Sequence, residues 1–117
     1  MRTFLLLTSL FLATITLKAN NIQVSNVSLT GQNVASQFTL VQFDLNWENS
    51  WRLSVGPSNW DAAWVFVKFR INGGPWLHAN LNYVNGTPAS DGHTAPAGST
   101  IKTASDGVGC FIYRAED

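Results

Sequence analysis

The chain has 117 residues, enough for one domain and too few for two, and its seven Lys and Arg balance seven Asp and Glu. Setting aside Arg2 and Lys18, which lie in the N-terminal segment, leaves five basic against seven acidic groups. That balance excludes the clustered basic face that nucleic acid demands, and the single cysteine, Cys110, excludes an internal disulfide.

Arg2 precedes an apolar run from Phe4 to Leu17, FLLLTSLFLATITL, which is followed by Lys18, Ala19 and Asn20. A charged start, a short apolar stretch and a small residue before polar sequence predict a signal peptide over residues 1–19, cleaved after Ala19. A secreted or periplasmic location follows. The run is too short and too rich in threonine to span a bilayer as a mature helix, so no membrane contact is expected after cleavage. A buried helix or N-terminal anchor is the alternative. A small secreted domain without disulfides must rely on its apolar core, a metal or a partner. All five tryptophans and five of the seven phenylalanines lie after Ala19 and supply large apolar area for that purpose.

From Asn21 to Leu29, apolar residues alternate at Ile22 and Val24, then shift phase to Val27 and Leu29. Alternation predicts a strand, and the one-residue shift predicts a bulge or twist within it. Thr30-Gly31-Gln32-Asn33 reads as a turn. The next run sets Thr39, Val41, Phe43, Leu45 and Trp47 against Gln42, Asp44 and Asn46, the pattern of a half-buried antiparallel strand. Glu48 to Asp61 reads as a long loop carrying Trp51 and Trp60, with a turn at Gly56-Pro57-Ser58-Asn59.

Trp64 to Ile71, WVFVKFRI, is apolar enough at first to predict a central strand packed on both sides. Asn72-Gly73-Gly74-Pro75 predicts a hairpin into a second arm, Trp76 to Leu81, because glycine takes positive φ without a Cβ clash. Asn82 to Thr100 is rich in Asn, Gly, Ser, Pro and Ala, and reads as a surface loop lacking the apolar surface to order itself. Ile101-Lys102-Thr103 and Val108 to Arg114 complete the predicted strands. An apolar strand so near the C-terminus is either flanked within its sheet or marks a domain whose further strands are absent, because an open edge of that kind aggregates.

Together VQFDLNWENSWR, NWDAAWVFVKFRI, WLHANL, GHTAPAGSTI and GVGCFIYRAED form an ordered set, and the resemblance they carry covers the chain roughly from Gln23 to Arg114. The set resembles the N-terminal region of secreted bacterial proteins of the formylglycine-generating-enzyme-like (sulfatase-modifying-factor) superfamily. The resemblance implies a β-rich leader domain that stands ahead of the enzyme and is not itself the enzyme. The family's cysteine pair is absent here, and Cys110 stands at an apolar strand position. NYVNGTPASDGHTAP is longer than usual, and the further strands that follow in the family are missing, which implies a truncated version.

The sequence offers few groups for chemistry. Trp47 and Trp64, at strand positions, read as core. Trp51, Trp60 and Trp76 lie near turns and are the candidate ligand-binding residues, since exposed indoles stack on sugar rings. Glu48 and Arg52 are close enough to pair across a turn, and Asp61 is placed to cap Ala62-Ala63. A calcium site from Asp44, Glu48 and Asp61 lacks any recognised loop spacing. Zinc wants three or four N and S ligands, and His78, His93 and Cys110 are at most three. Cys110 reads as a small buried hydrophobe and not as a nucleophile paired with histidine. Asn26 and Asn85 stand in glycosylation sequons.

The expectation is therefore a single all-β, antiparallel, sandwich-like domain over residues 20–117, without catalytic residues, cofactor or metal. Its expected role is that of an accessory or leader module. The alternatives are an independent carbohydrate-binding module using Trp51, Trp60 and Trp76, and a fragment without function of its own. The expected partners are a polysaccharide or a protein covering an open sheet edge.

Overall fold

The computed structural model describes residues 20–117, so the segment read as a signal peptide, residues 1–19, lies outside the described residues. Regular structure there is almost entirely strand. In chain order it comprises β1 (Gln23–Asn33), β2 (Phe38–Asn46), β3 (Arg52–Leu53), β4 (Asn59–Trp60), β5 (Ala63–Val65), β6 (Lys68–Phe69) and β7 (Leu77–His78). The short helix α1 (Pro88–Asp91) follows, then β8 (Ser99–Thr103) and β9 (Cys110–Arg114). Four small antiparallel sheets result: β1–β2, β3–β4, β6–β7 and β5–β9–β8. The β-rich class expected from the sequence is the class observed. Among the described residues no helix is long and apolar enough to cross a membrane. The chain divides into two compact units at the Glu48–Asn49 boundary.

The first unit is the β1–β2 hairpin. Between Ser25 and Ser28 the register slips by one residue, since Ser25 pairs with Asp44 and Ser28 with Gln42. The phase shift read in the sequence is this bulge. It brings Val24 opposite Leu45 and Leu29 opposite Val41, so apolar residues an odd number apart still share a face. Asn26 takes a left-handed φ of 52° inside the bulge, and its Nδ2 donates to Asp44 Oδ2 at 2.6 Å. In β2, Val41, Phe43 and Leu45 are half-buried while Gln42, Asp44 and Asn46 are exposed, the alternation that was expected.

The turn lies elsewhere than expected. Thr30 to Asn33 continues β1 through a second register shift, and the chain reverses at Val34–Gln37. Gly31, at φ 57°, absorbs the shift, Asn33 Oδ1 accepts from Ser36 N–H, and Gln37 takes φ 56°. The polar side chain of Asn33 thus starts the turn that composition had placed four residues too early.

In the second unit the apolar run from Trp64 does not form one central strand. It breaks at Phe66–Val67 into β5, which pairs with β9, and β6, which pairs with β7. Nearly continuous apolar sequence carries no phase information, so nothing in it marks where the chain leaves one sheet for another. The Asn72–Gly74 reversal is observed as predicted: Asn72 and Gly73 have φ 48° and 74°, and Gly74 N–H donates to Ile71 O. Both central residues being left-handed, the turn matches the twist of β6 and β7. The expected Glu48–Asp61 loop contains the β3–β4 pair and a cis Gly56–Pro57 bond.

The last strand is flanked. Strand β9 lies at the centre of the three-stranded sheet, with β5 on one side and β8 on the other, which is the first of the two explanations offered for its apolar sequence.

Candidate functional site

Side chains on a strand alternate between faces, and registered neighbours share one. In the β5–β9–β8 sheet Trp64, Phe111 and Lys102 therefore form one cross-strand row, and Tyr113 with Thr100 forms the next row on the same face. The opposite face presents Ala63, Ile112 and Ile101, then Val65, Cys110 and Thr103. Burial separates the two. Ala63, Cys110 and Thr103 are buried, whereas Trp64 and Phe111 are 42% and 44% exposed. Trp64 was expected to be core. The strand carries its indole to the open face instead, because the residue that needs burial on β5 is the small Ala63.

The two rings of this row touch, with centroids 4.7 Å apart and planes at 55°, an arrangement aromatic quadrupoles favour. Gly109 makes room for it. A Cβ there would stand 2.5 Å from Trp64 Cζ2 and 2.7 Å from the Val65 carbonyl oxygen, so the indole rests directly on the backbone before β9.

The β3–β4 pair adds a second aromatic pair to the same end. Trp60 lies 5.8 Å from Tyr113, ring to ring, and is 40% exposed. Arg52, opposite Trp60 in register, holds its guanidinium 4.4 Å from the Trp60 centroid and 5.7 Å from that of Tyr113. Its Nη1 donates to Arg114 O at 2.7 Å, while Arg114 Nη1 reaches Ser50 O. Arg52 thus serves the aromatic pair and β9. Phe111 and Tyr113 are two residues apart on one strand face, so the two aromatic pairs are spaced by roughly 7 Å.

Of the residues singled out in the sequence, Trp60 belongs to this face. Trp51 is exposed at the mouth of the β3–β4 pair, where Asp61 Oδ1 accepts from its N–H and Asp61 N–H donates to its carbonyl. Asp61 therefore fastens the mouth of the hairpin to Trp51 and Ser50. Trp76, 61% exposed, stacks under Arg70 at 4.9 Å. No ring contact joins Trp51, Trp60 and Trp76 to one another among the described residues. Trp47 is half-buried in the first unit.

The loop before β8 is ordered by a carboxylate. Asp91 is 2% exposed, and its Oδ1 accepts from the N–H groups of Val84, Asn85 and Gly86 at 2.7, 3.2 and 3.3 Å. Its own carbonyl accepts from Asn82 Nδ2. Asp91 closes helix α1, which starts at Pro88 and ends on left-handed Gly92. Burial pushes its carboxyl upward. The three backbone N–H groups and the nearby Thr103 hydroxyl outweigh that and hold it below its ordinary 3.8. Oδ2 is buried and forms no hydrogen bond among the described residues. Polar groups, not apolar area, order this segment, and composition gave no sign of that. The signals present were Thr87-Pro88 ahead of Gly92, a helix start and stop, and one acidic residue among small polar ones.

Cys110 is buried, and burial pushes its thiol up. His78 Nε2 meets Val108 O at 2.7 Å and His93 Nε2 meets Thr103 Oγ1 at 2.9 Å, and neither is hydrogen-bonded to Cys110 among the described residues. No group of three or more His, Cys, Asp or Glu is placed to hold a metal ion among the described residues.

The chain is thus a β-rich protein with an exposed aromatic face on its three-stranded sheet. No family model, curated protein or solved structure matches it.

Proposed function

We propose that this chain is a non-catalytic, secreted accessory module of sandwich-like architecture whose aromatic sheet face binds polysaccharide. The exposed face carrying Trp64–Phe111 and Trp60–Tyr113 supports this reading. The C–H faces of a sugar ring are apolar and weakly positive, and they settle on the negative face of an indole or phenol. Two aromatic pairs about 7 Å apart on one strand face suit successive units of a chain. The resemblance to leader domains of formylglycine-generating-enzyme-like proteins supports the accessory role. Trp51 and Trp76 make no ring contact with these pairs among the described residues.

Affinity electrophoresis through gels containing soluble polysaccharides tests the proposal. Retardation that is lost in Trp60→Ala and Trp64→Ala but kept in Trp76→Ala supports it. Unretarded migration in every polysaccharide of a broad panel overturns it.

A second reading, a protein partner that adds a strand to the β1–β2 hairpin, is favoured by the exposure of Val27, Leu29 and Phe38 there. Deletion or charge substitution on those residues, with glycan binding intact, separates the two.

A further inference from the structure

Beside Phe111, at the free edge of β8, lies an open depression of about 350 Å³ lined by Tyr83, Asn85, Gly86, Lys102, Ser105 and Phe111 among others. Its position continues the aromatic row: Lys102 is the registered neighbour of Phe111, which is in turn the neighbour of Trp64. Two aromatic rings bound it, Tyr83 at 40% and Phe111 at 44% exposure.

Its side chains include one cation and, among the described residues, no carboxylate. Lys102 carries the depression's only charge, is exposed, and forms no ion pair among the described residues. Asn85 has its Oδ1 occupied by the Thr87 N–H at 3.1 Å and the Thr87 hydroxyl at 2.8 Å. That fixes the amide and leaves its Nδ2 hydrogens to donate outward. The hydroxyls of Tyr83 and Ser105 can donate as well. Of the carboxylates close to the lining in sequence or contact, Asp91 is buried behind Gly86 with Oδ1 on the loop amides, and Asp106, next to Ser105, accepts from Val108 N–H; no carboxylate lines the depression. A lining with one unpaired cation and no carboxylate favours an anionic group over a neutral one, because a charge-assisted bond to Lys102 is stronger than a neutral hydrogen bond to the same site. Gly86 is also constrained: it is left-handed at φ 77°, and a Cβ there would press on Tyr83 Cε2 at 3.3 Å. The wall under Tyr83 is therefore held in place.

We infer that this depression is a subsite for an acidic sugar unit, a carboxylate- or sulfate-bearing ring lying against Phe111 and Tyr83 with its anion on Lys102 and Asn85. The inference rests on the polysaccharide reading above and narrows its substrate to anionic glycans. Charge-assisted bonds of this kind are stronger than neutral ones and weaken with salt where they are exposed.

Isothermal titration of the full chain with matched oligosaccharides tests it, using a neutral, a uronate-containing and a sulfated series of equal length, together with inorganic sulfate alone. The expected result is at least tenfold tighter binding of one acidic series than of the neutral one. That preference should shrink to within twofold in Lys102→Gln and persist in Lys68→Gln, a lysine on β6 outside the depression. The carboxylate and sulfate arms identify which anion is preferred, and sulfate alone should bind far more weakly than the sulfated sugar. Equal binding of neutral and acidic series, or a preference untouched by Lys102→Gln, overturns the subsite and leaves the polysaccharide reading standing. Binding of no series at all overturns both.

Discussion

Replacing Gly109 with alanine probes how the aromatic face is built. The added Cβ would stand 2.5 and 2.9 Å from Trp64 Cζ2 and Cε2 and 2.7 Å from the Val65 carbonyl oxygen. An indole can swing away, but the carbonyl belongs to β5, whose Val65 pairs with Cys110. The clash therefore either pries β5 from β9 or pushes Trp64 off Phe111. Overpacking of this type costs about 1–3 kcal/mol, and a lost ring pair about 0.5–1.5 kcal/mol. The lower entropy of the unfolded alanine chain returns about 0.4–1 kcal/mol. A net destabilisation of roughly 0.5–4 kcal/mol follows, read as a lower urea midpoint at unchanged slope. The companion Trp64→Ala, which removes the ring the Cβ strikes, should relieve part of that loss in the double variant, a coupling measurable by a double-mutant cycle. A Gly109→Ala protein as stable as the parent, with unaltered tryptophan fluorescence, would refute the packing argument.

Three further outcomes are expected. Asp91 has a folded pKa below its ordinary value, so its contribution to stability is present above that value and is lost as pH falls through the folded one. An acid-unfolding series should show this limb, and Asp91→Asn should flatten it while loosening residues 84–91 in hydrogen exchange. Cys110 is buried with a raised thiol pKa, so a disulfide reagent at pH 8 should react slowly with the folded chain and many times faster in denaturant. Asn72→Val places a β-branched residue at a φ of 48° and should cost about 1–2 kcal/mol, visible as a lower thermal midpoint, whereas Asn72→Gly should be close to neutral.

Much of the strand content was legible in the sequence because polar residues marked the phase. The alternation of Val41, Phe43 and Leu45 with Gln42, Asp44 and Asn46 fixed β2, and the slip between Val24 and Val27 disclosed the bulge that Asn26 occupies. Asn72-Gly73 announced its turn because its backbone demands are local. Where sequence was uniformly apolar, as from Trp64 to Val67, the break between β5 and β6 left no trace, since β5 follows a partner, β9, at least 45 residues away while β6 turns to the nearby β7. The aromatic face was half visible. Trp60 stood out as a turn-proximal indole, but its stack on Tyr113, and the exposure of Trp64 beside Phe111, depend on the register of β9 and cannot be read locally. Asp91 was hidden for another reason: its three N–H partners belong to an irregular loop with no periodicity to read.

The proposed function requires Trp60 and Trp64 to form a ligand face and not merely a scaffold. Titrating the labelled full chain with oligosaccharides while following the five indole N–H signals by NMR tests this most directly. Saturable shifts are expected at Trp60 and Trp64 with at least one glycan, and little change at Trp47. Indole signals that stay fixed across the whole panel, or that move only for Trp47, would contradict the proposed function.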